Sequence, residues 1–239
     1  MAVDTGKRMT LVDHLGELRR RIIVALVAIA LGAVIAFVAY EDILHFLSGP
    51  YKEATNREDF LATGPLDPFL TRLKIATYGG MALASPVVLW QIWRFVTPGL
   101  HKREKRYAIP FIISSILLFA LGVFIALESF PRTLDFLLSM GGQEIEVWLT
   151  PDKYLSFVTL MMLAFGAAFE LPIVLVFLLI ARVITTRKLR SIRRHAIVGI
   201  VIVAAVITPS QDPFTLLLMA LPMYFFYEIS IIIGRILKR

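Results

Sequence analysis

The chain alternates between long apolar runs and short segments rich in charge, Pro and Gly. Six runs stand out, at 22–40, 75–93, 108–127, 154–180, 196–208 and 214–233. A hydrocarbon core about 30 Å thick takes about 20 helical residues to cross, and five of the runs approach or exceed that length. Helix is the reading lipid allows, because an isolated strand would leave its backbone polar groups unpaired there. The fourth run is long enough to tilt or to project from the bilayer. The fifth reaches only about 20 Å at 1.5 Å per residue. Pro222 interrupts the sixth. The last two segments are therefore expected to form a short hairpin turning at 208–213, with the bilayer thinned around it. The predicted fold is all-α: one polytopic domain over 1–239 with six transmembrane helices, the last two short.

Composition agrees with this pattern. Of the 239 residues, 58% are apolar and 18% charged, against about 45–50% and 25% in soluble domains, and the mean hydropathy is +0.76. With 14 Gly, 12 Pro and no Cys, the chain is neither disordered, collagen-like nor a disulfide scaffold, and it has no thiolate ligands. Lys7 and Arg8 precede the first apolar run as in a signal peptide. That run is 19 residues long and leads into further spans, so it reads as a retained helix. No repeat of 20–50 residues appears, nor any inverted likeness between 22–127 and 154–233.

The net charge of +7 would suggest nucleic acid in a soluble protein. Partitioned by span, it has another meaning. The N-terminus, the second and fourth connections and the C-terminus carry 19 of the 25 basic residues and only four acids, Asp4, Asp13, Glu17 and Glu104. The opposite side carries six basic residues and twelve acids. The balance is +15 on one side, −6 on the other and −2 within the spans. By the positive-inside rule both termini are cytoplasmic, and the basic runs are expected to meet anionic lipid headgroups rather than nucleic acid.

Four acids break this scheme. Glu170 lies sixteen positions past Tyr154 and ten before Ile180, deep in the fourth run. A carboxylate there costs at least ~2.5 kcal/mol even on insertion scales. It therefore calls for water, a partner, or a hydrogen bond that fixes helix packing. Pro172 follows it and frees a carbonyl about one turn earlier. Glu228, seven residues before Arg235, can snorkel or pair with that arginine. Glu17 and Glu104 each stand alone in a basic run, where an acid contributes nothing to orientation. A carboxylate matches the fork of a guanidinium, so two such acids could hold two arginines of a guest; incidental surface pairing is the competing reading. The sequence contains no His-Glu-x-x-His, Gly-x-Ser-x-Gly or phosphate-loop motif. The four histidines lie at or beyond span ends without metal-ligand spacing. No catalytic residue, metal site or cofactor is expected, and the chain does not read as an enzyme.

The stretch from His14 to Arg21 (His-Leu-x-Glu-Leu-Arg-x-Arg) resembles the opening of the TatC family, the polytopic subunit of the twin-arginine protein translocase. The likeness continues along the chain. It includes Ala84 to Phe95 (Ala-Ser-Pro-Val-Val-Leu-x-Gln-x-Trp-x-Phe), Pro98, His101 to Arg106 (His-Lys-x-Glu-Lys-Arg) and Tyr154 to Val158. It resumes at Ala164 to Pro172 (Ala-Phe-Gly-x-x-Phe-Glu-Leu-Pro), Thr208-Pro209, Leu221-Pro222 and Tyr227 to Ile229. The resemblance implies a receptor that binds paired-arginine signal peptides at its cytoplasmic face and starts export of folded proteins, driven by the proton-motive force. It implies a signal-peptide site at Glu17, Arg19, Phe95 and Glu104, an intramembrane polar site at Glu170, and an external-loop site at Asp212. The match at Asp212 is weaker, because Pro213 follows it and a polar residue expected a few positions on is missing. The implied partners are TatA- and TatB-type single-span subunits in a multimeric complex of the cell inner membrane. The alternative from residues alone is a proton-coupled secondary transporter or channel with Glu170 as ion site. It calls for repeats and converging polar groups at midplane, and neither is visible.

Overall fold

The computed structural model describes residues 11–55, 60–96, 108–141, 149–209 and 212–236, the side chains of Leu11 and Ala54 excepted. Among these residues every regular element is helical: α1 (Leu11–Val38), α2 (Tyr40–Thr55), α3 (Asp67–Val96), α4 (Ala108–Ser139), α5 (Pro151–Ala168), α6 (Leu171–Ile180), α7 (Thr186–Ser191), α8 (Arg193–Ile207) and α9 (Pro213–Ile236). The all-α expectation holds, and the six apolar runs fall on α1, α3, α4, α5–α6, α8 and α9, the first passing the end of α1 by two residues and the fifth passing the end of α8 by one. The helices outrun the apolar stretches that predict them. α3 and α4 have 30 and 32 residues, because backbone hydrogen bonding does not stop where side chains turn polar. Among the described residues five spans are long and apolar enough to cross a membrane, with α5 and α6 together counting as one. The remaining element, α8, has 15 residues and is the short helix the sequence announces. Its partner α9 is not short. It runs 24 residues and continues through Pro222, so the proline costs one internal hydrogen bond without ending the helix.

The chief packing partners are α1 with α3, α4 with α5, α6 with α9, α3 with α5, α8 with α9, and α2 with α4. Helices α1 and α8 therefore sit at opposite edges of the bundle. The apolar residues that α1 leaves exposed, among them Leu26, Leu31 and Val34, form a face suited to lipid. Small residues allow the close crossings, as expected where van der Waals contact rather than water exclusion holds helices together. A Cβ on Gly80 would lie 2.6 Å from the backbone nitrogen of Ala33, and one on Gly122 would lie 2.6 Å from the carbonyl oxygen of Phe165. The main core gathers around Phe130, Tyr154, Val158, Phe165 and Met219. A second cluster of Trp93, Phe111, Ile112, Ile173, Val176 and Ile180 lies between α3, α4 and α6.

The acidic side is tied together by polar anchors. Tyr154 donates to the carbonyl of Leu47 at 2.6 Å, fastening α5 to α2. Lys74 pairs with Asp152 and donates to Ser156 at 2.9 Å, fastening α3 to α5. Arg72 lies over the Phe37 ring, 4.6 Å from its centroid. The described residues flanking these anchors thus contribute α2 and the helical extensions of α3, α4 and α5.

Candidate functional site

At the basic end, α1 and α3 bring together residues far apart in sequence. Glu17 and Arg21 are one helical turn apart on α1, and Arg21 Nη2 donates to Glu17 Oε1 at 2.9 Å. The other arm of that guanidinium, Nη1, donates to Gln91 Oε1 on α3 at 3.1 Å. Beside this bridge His14 stacks on Phe95 with ring centroids 4.4 Å apart. Glu17 is not an isolated acid, since Arg21 occupies one of its oxygens. Its second oxygen, Oε2, is buried without a hydrogen-bond donor, and Arg21 Nε is buried without an acceptor. Arg19 points away from this bridge to an exposed position. Glu104, the other acid of the expected pair, lies outside the described residues.

The second site sits below the first. Trp93 Nε1 donates to Ser115 Oγ at 2.9 Å, and Ser115 Oγ donates to Glu170 Oε2 at 2.6 Å. Three helices are connected: α3 gives the indole, α4 the fully buried serine, and the α5–α6 junction the acid. The Trp93 ring is fixed by stacking on Phe111 and by an edge contact with Phe177. Glu170 stands where the helix breaks. Its amide bonds to the Ala167 carbonyl at 3.1 Å, a tightened turn, and Val174 returns to the Glu170 carbonyl. Pro172 follows as a first-turn residue of α6, consistent with the freed carbonyl that the sequence implies. Glu170 Oε1 is buried and has no donor. The side chain lines a groove of about 380 Å³ with Ile29 of α1, Ser85 and Ile92 of α3, Phe119 of α4, and Leu163 of α5.

Asp212 has a structural occupation. It is buried, its Oδ1 accepts the Thr215 amide at 2.8 Å, and its Oδ2 accepts the Thr215 hydroxyl. With Pro213 as the first helical residue, this is an N-terminal cap of α9. Glu228 does not pair with Arg235 as the sequence suggests. It accepts from Arg193 Nη2 of α8 at 2.6 Å and from the Tyr224 hydroxyl at 3.3 Å, because α8 packs along α9 and delivers a closer guanidinium. Among the described residues no cluster of three or more His, Cys, Asp or Glu could hold a metal ion.

Residues 13–222 match the family model described as Sec-independent protein translocase protein (TatC). The chain belongs to the TatC family. A TatC from Frankia casuarinae is 42% identical over 95% of this chain, which spans 66% of that relative's length. A TatC from Aquifex aeolicus is 40% identical, with 97% of each chain covered. Among solved structures, one of the twin-arginine translocase receptor TatC is 40% identical, covers 95% of this chain and all of its own, and superposes with a TM-score of 0.78. Family and apolar helices together make this a multi-pass membrane protein of the Sec-independent, twin-arginine translocase.

Seen on this TatC fold, Glu17 and Phe95 do converge, whereas Glu170 and Asp212 stand at separate places. Sequence reasoning missed Arg21 as the partner of Glu17, Ser115 as the partner of Glu170, and Arg193 as the partner of Glu228. Gln91 and Trp93 carried a signal of sorts, as polar members of the motif ending at Phe95. Ser115 carried none beyond being a hydroxyl in an apolar run.

Proposed function

We propose that this chain is the receptor that takes paired-arginine signal peptides of folded cargo at its cytoplasmic face, with Glu17, Phe95 and Glu104 as the contact residues. Both termini lie in the cytoplasm in this reading, and the protein resides in the cell inner membrane. The observation that carries it is Glu17 itself: a carboxylate with one oxygen held by Arg21 and the other buried without a donor. A guest guanidinium supplies the donors that oxygen lacks, and a charge-assisted bond of this kind is stronger than a neutral one. Phe95, held in a stack by His14 at the end of α3, offers an apolar surface to the residues flanking the arginine pair. The exposed Arg19 and its basic neighbours repel cations not matched to the acids and attract anionic lipid.

The remaining assignments extend this reading. Glu170 gives a polar contact to an inserted signal peptide or to the span of a TatA- or TatB-type subunit, entering along the groove it lines. The complex is multimeric and draws on the proton-motive force; no phosphate-binding loop is present in the sequence. Asp212 acts in this scheme by holding the start of α9.

The test is photo-crosslinking of an Arg-Arg signal peptide to the membrane-inserted protein. Glu104→Ala and Glu17→Ala should each remove the crosslink, and a Lys-Lys peptide should crosslink weakly to the wild type. Unchanged crosslinking in both variants would sink the carboxylate clamp.

A further inference from the structure

On the basic side, away from Glu17, four guanidinium groups share one pocket. Arg187 and Arg190 of α7, Arg193 of α8 and Arg235 of α9 line a space of about 680 Å³ with Thr186 and Ser191. The walls are built, not incidental. Helix α6 ends in a turn in which the Val183 amide reaches the Leu178 carbonyl at 3.0 Å and the Arg182 amide the Leu179 carbonyl at 3.2 Å. Arg182 adopts φ 58° to close that turn. The chain is thereby directed into α7, which is pinned by the buried Leu189, whose carbonyl accepts from the Tyr227 hydroxyl at 2.7 Å. Gly234 has no room for a Cβ against Thr186 and Leu179, so α7 lies directly on α9 and Arg235 is carried to its side.

Arg193 is paired with Glu228, and the other three like charges so placed repel one another unless an anion joins them. The acid at hand, Glu228, is engaged by Arg193 and Tyr224. Among the described residues Arg187, Arg190 and Arg235 have no acidic partner, and Arg193 Nε is buried without an acceptor. We propose that this pocket is a binding site for the phosphate headgroup of an anionic phospholipid. Guanidinium forks match phosphate oxygens in pairs. The site lies at the ends of α6 and α9, at the depth of a headgroup, and basic pockets between membrane helices take such lipids. The assignment deepens the lipid attraction proposed above and rests on the same reading of this end as a membrane interface.

The experiment uses the delipidated full chain in dodecyl maltoside, titrated with phosphatidylglycerol, cardiolipin or phosphatidylcholine, with bound lipid counted by native mass spectrometry. Expected is retention of an anionic lipid at about tenfold lower concentration than phosphatidylcholine. The pair Arg187→Ala with Arg190→Ala should lose about tenfold of that affinity. The pair Arg132→Ala with Lys153→Ala removes equal charge from exposed positions outside the pocket and should change it less than about twofold. Equal losses in both pairs, or no preference over phosphatidylcholine, would overturn the site. Displacement of the lipid by millimolar inorganic phosphate would overturn the lipid as its ligand. Arg187→Lys with Arg190→Lys covers a folding failure of the alanine pair: intermediate binding supports forked recognition, and wild-type binding overturns it. Binding in detergent does not depend on which side of a membrane this end faces, nor on signal peptide, so a failure here is distinguishable from a failure of the receptor reading.

Discussion

Glu17 and Glu170 share a feature that composition hides: in each, one carboxylate oxygen is engaged within the chain and the other is buried without a donor. For Glu170 the engaged side is testable through its neighbours. Ser115→Ala removes the hydroxyl that links Trp93 to the acid and should destabilise the protein by about 1 to 3 kcal/mol, the cost of stranding buried polar groups. Trp93→Phe keeps one aromatic ring among Phe111 and Phe177 but loses the N–H and the second ring of the indole, so about 2 to 3 kcal/mol is expected from the hydrogen bond and the cavity together. Chemical unfolding in detergent micelles, followed by far-ultraviolet circular dichroism, measures both. For Glu17, replacement by Gln preserves size and removes charge; the affinity for an Arg-Arg peptide should fall at least about tenfold, as for a severed charged contact. Fluorescence anisotropy with the labelled peptide checks this, and unchanged affinity would assign Glu17 to the Arg21–Gln91 bridge alone. The acids were legible in the sequence because a carboxylate in an apolar or basic run is out of place. Their partners were not. Ser115 reaches across to another helix, whereas Ser129 on the same α4 bonds the Ile125 carbonyl of its own helix at 2.6 Å. Both are serines of one helix, and only the tertiary arrangement shows which of them reaches another helix.

At the scale of the helices, steric allowance and capping decide more than hydrophobicity does. Gly80 meets the Ala33 backbone at the α1–α3 crossing, whereas a Cβ at Gly199 on α8 meets nothing within 4 Å. Gly80→Leu should separate the two helices and cost about 1 to 3 kcal/mol or more, while Gly199→Leu should be close to neutral. The same unfolding assay distinguishes them. Asp212 separates a cap from a charge. Asn caps about as well as Asp, and Ala loses about 1 kcal/mol, so Asp212→Asn should preserve both stability and export of an Arg-Arg-signalled reporter while Asp212→Ala lowers stability. Loss of export in the Asn variant at full stability would give the negative charge a role beyond the cap. Helix existence was legible throughout, because length and hydropathy fix it. Helix ends were not: apolar runs stop at the membrane boundary, whereas α3 and α4 continue until capping or a break halts their hydrogen bonding. Pro222 was read as an interruption, yet α9 absorbs it. Pro172 coincides with a real break because Glu170 and Phe169 already turn there.

For the molecule as a whole, the charge asymmetry and the packing make one statement that each alone leaves open. The clusters at Glu17–Arg21–Gln91 and Arg187–Arg190–Arg193–Arg235 stand at the helix ends whose flanking loops carry most of the +15, while Lys74–Asp152 and the Tyr154 anchor stand at the acidic ends. The polar networks are thus sorted by side as the loops are. Among the described residues, those on the basic side leave Glu17 Oε2, Arg21 Nε and Arg193 Nε unmatched, and the acidic side, beside its interhelical contacts, leaves Arg72 Nε and the Tyr51 and Thr71 hydroxyls unmatched. The orientation can be read directly, because the chain has no cysteine and any introduced thiol is the sole target. Cysteine at Arg194 or at Ser139, both exposed positions at opposite ends of their helices, should react oppositely with a membrane-impermeant maleimide. In intact cells with permeabilised outer layers, Ser139→Cys should label and Arg194→Cys should not; in inside-out vesicles the pattern should reverse. Labelling of Arg194→Cys from the outside would invert the topology and place the Glu17 site out of reach of a cytoplasmic signal peptide.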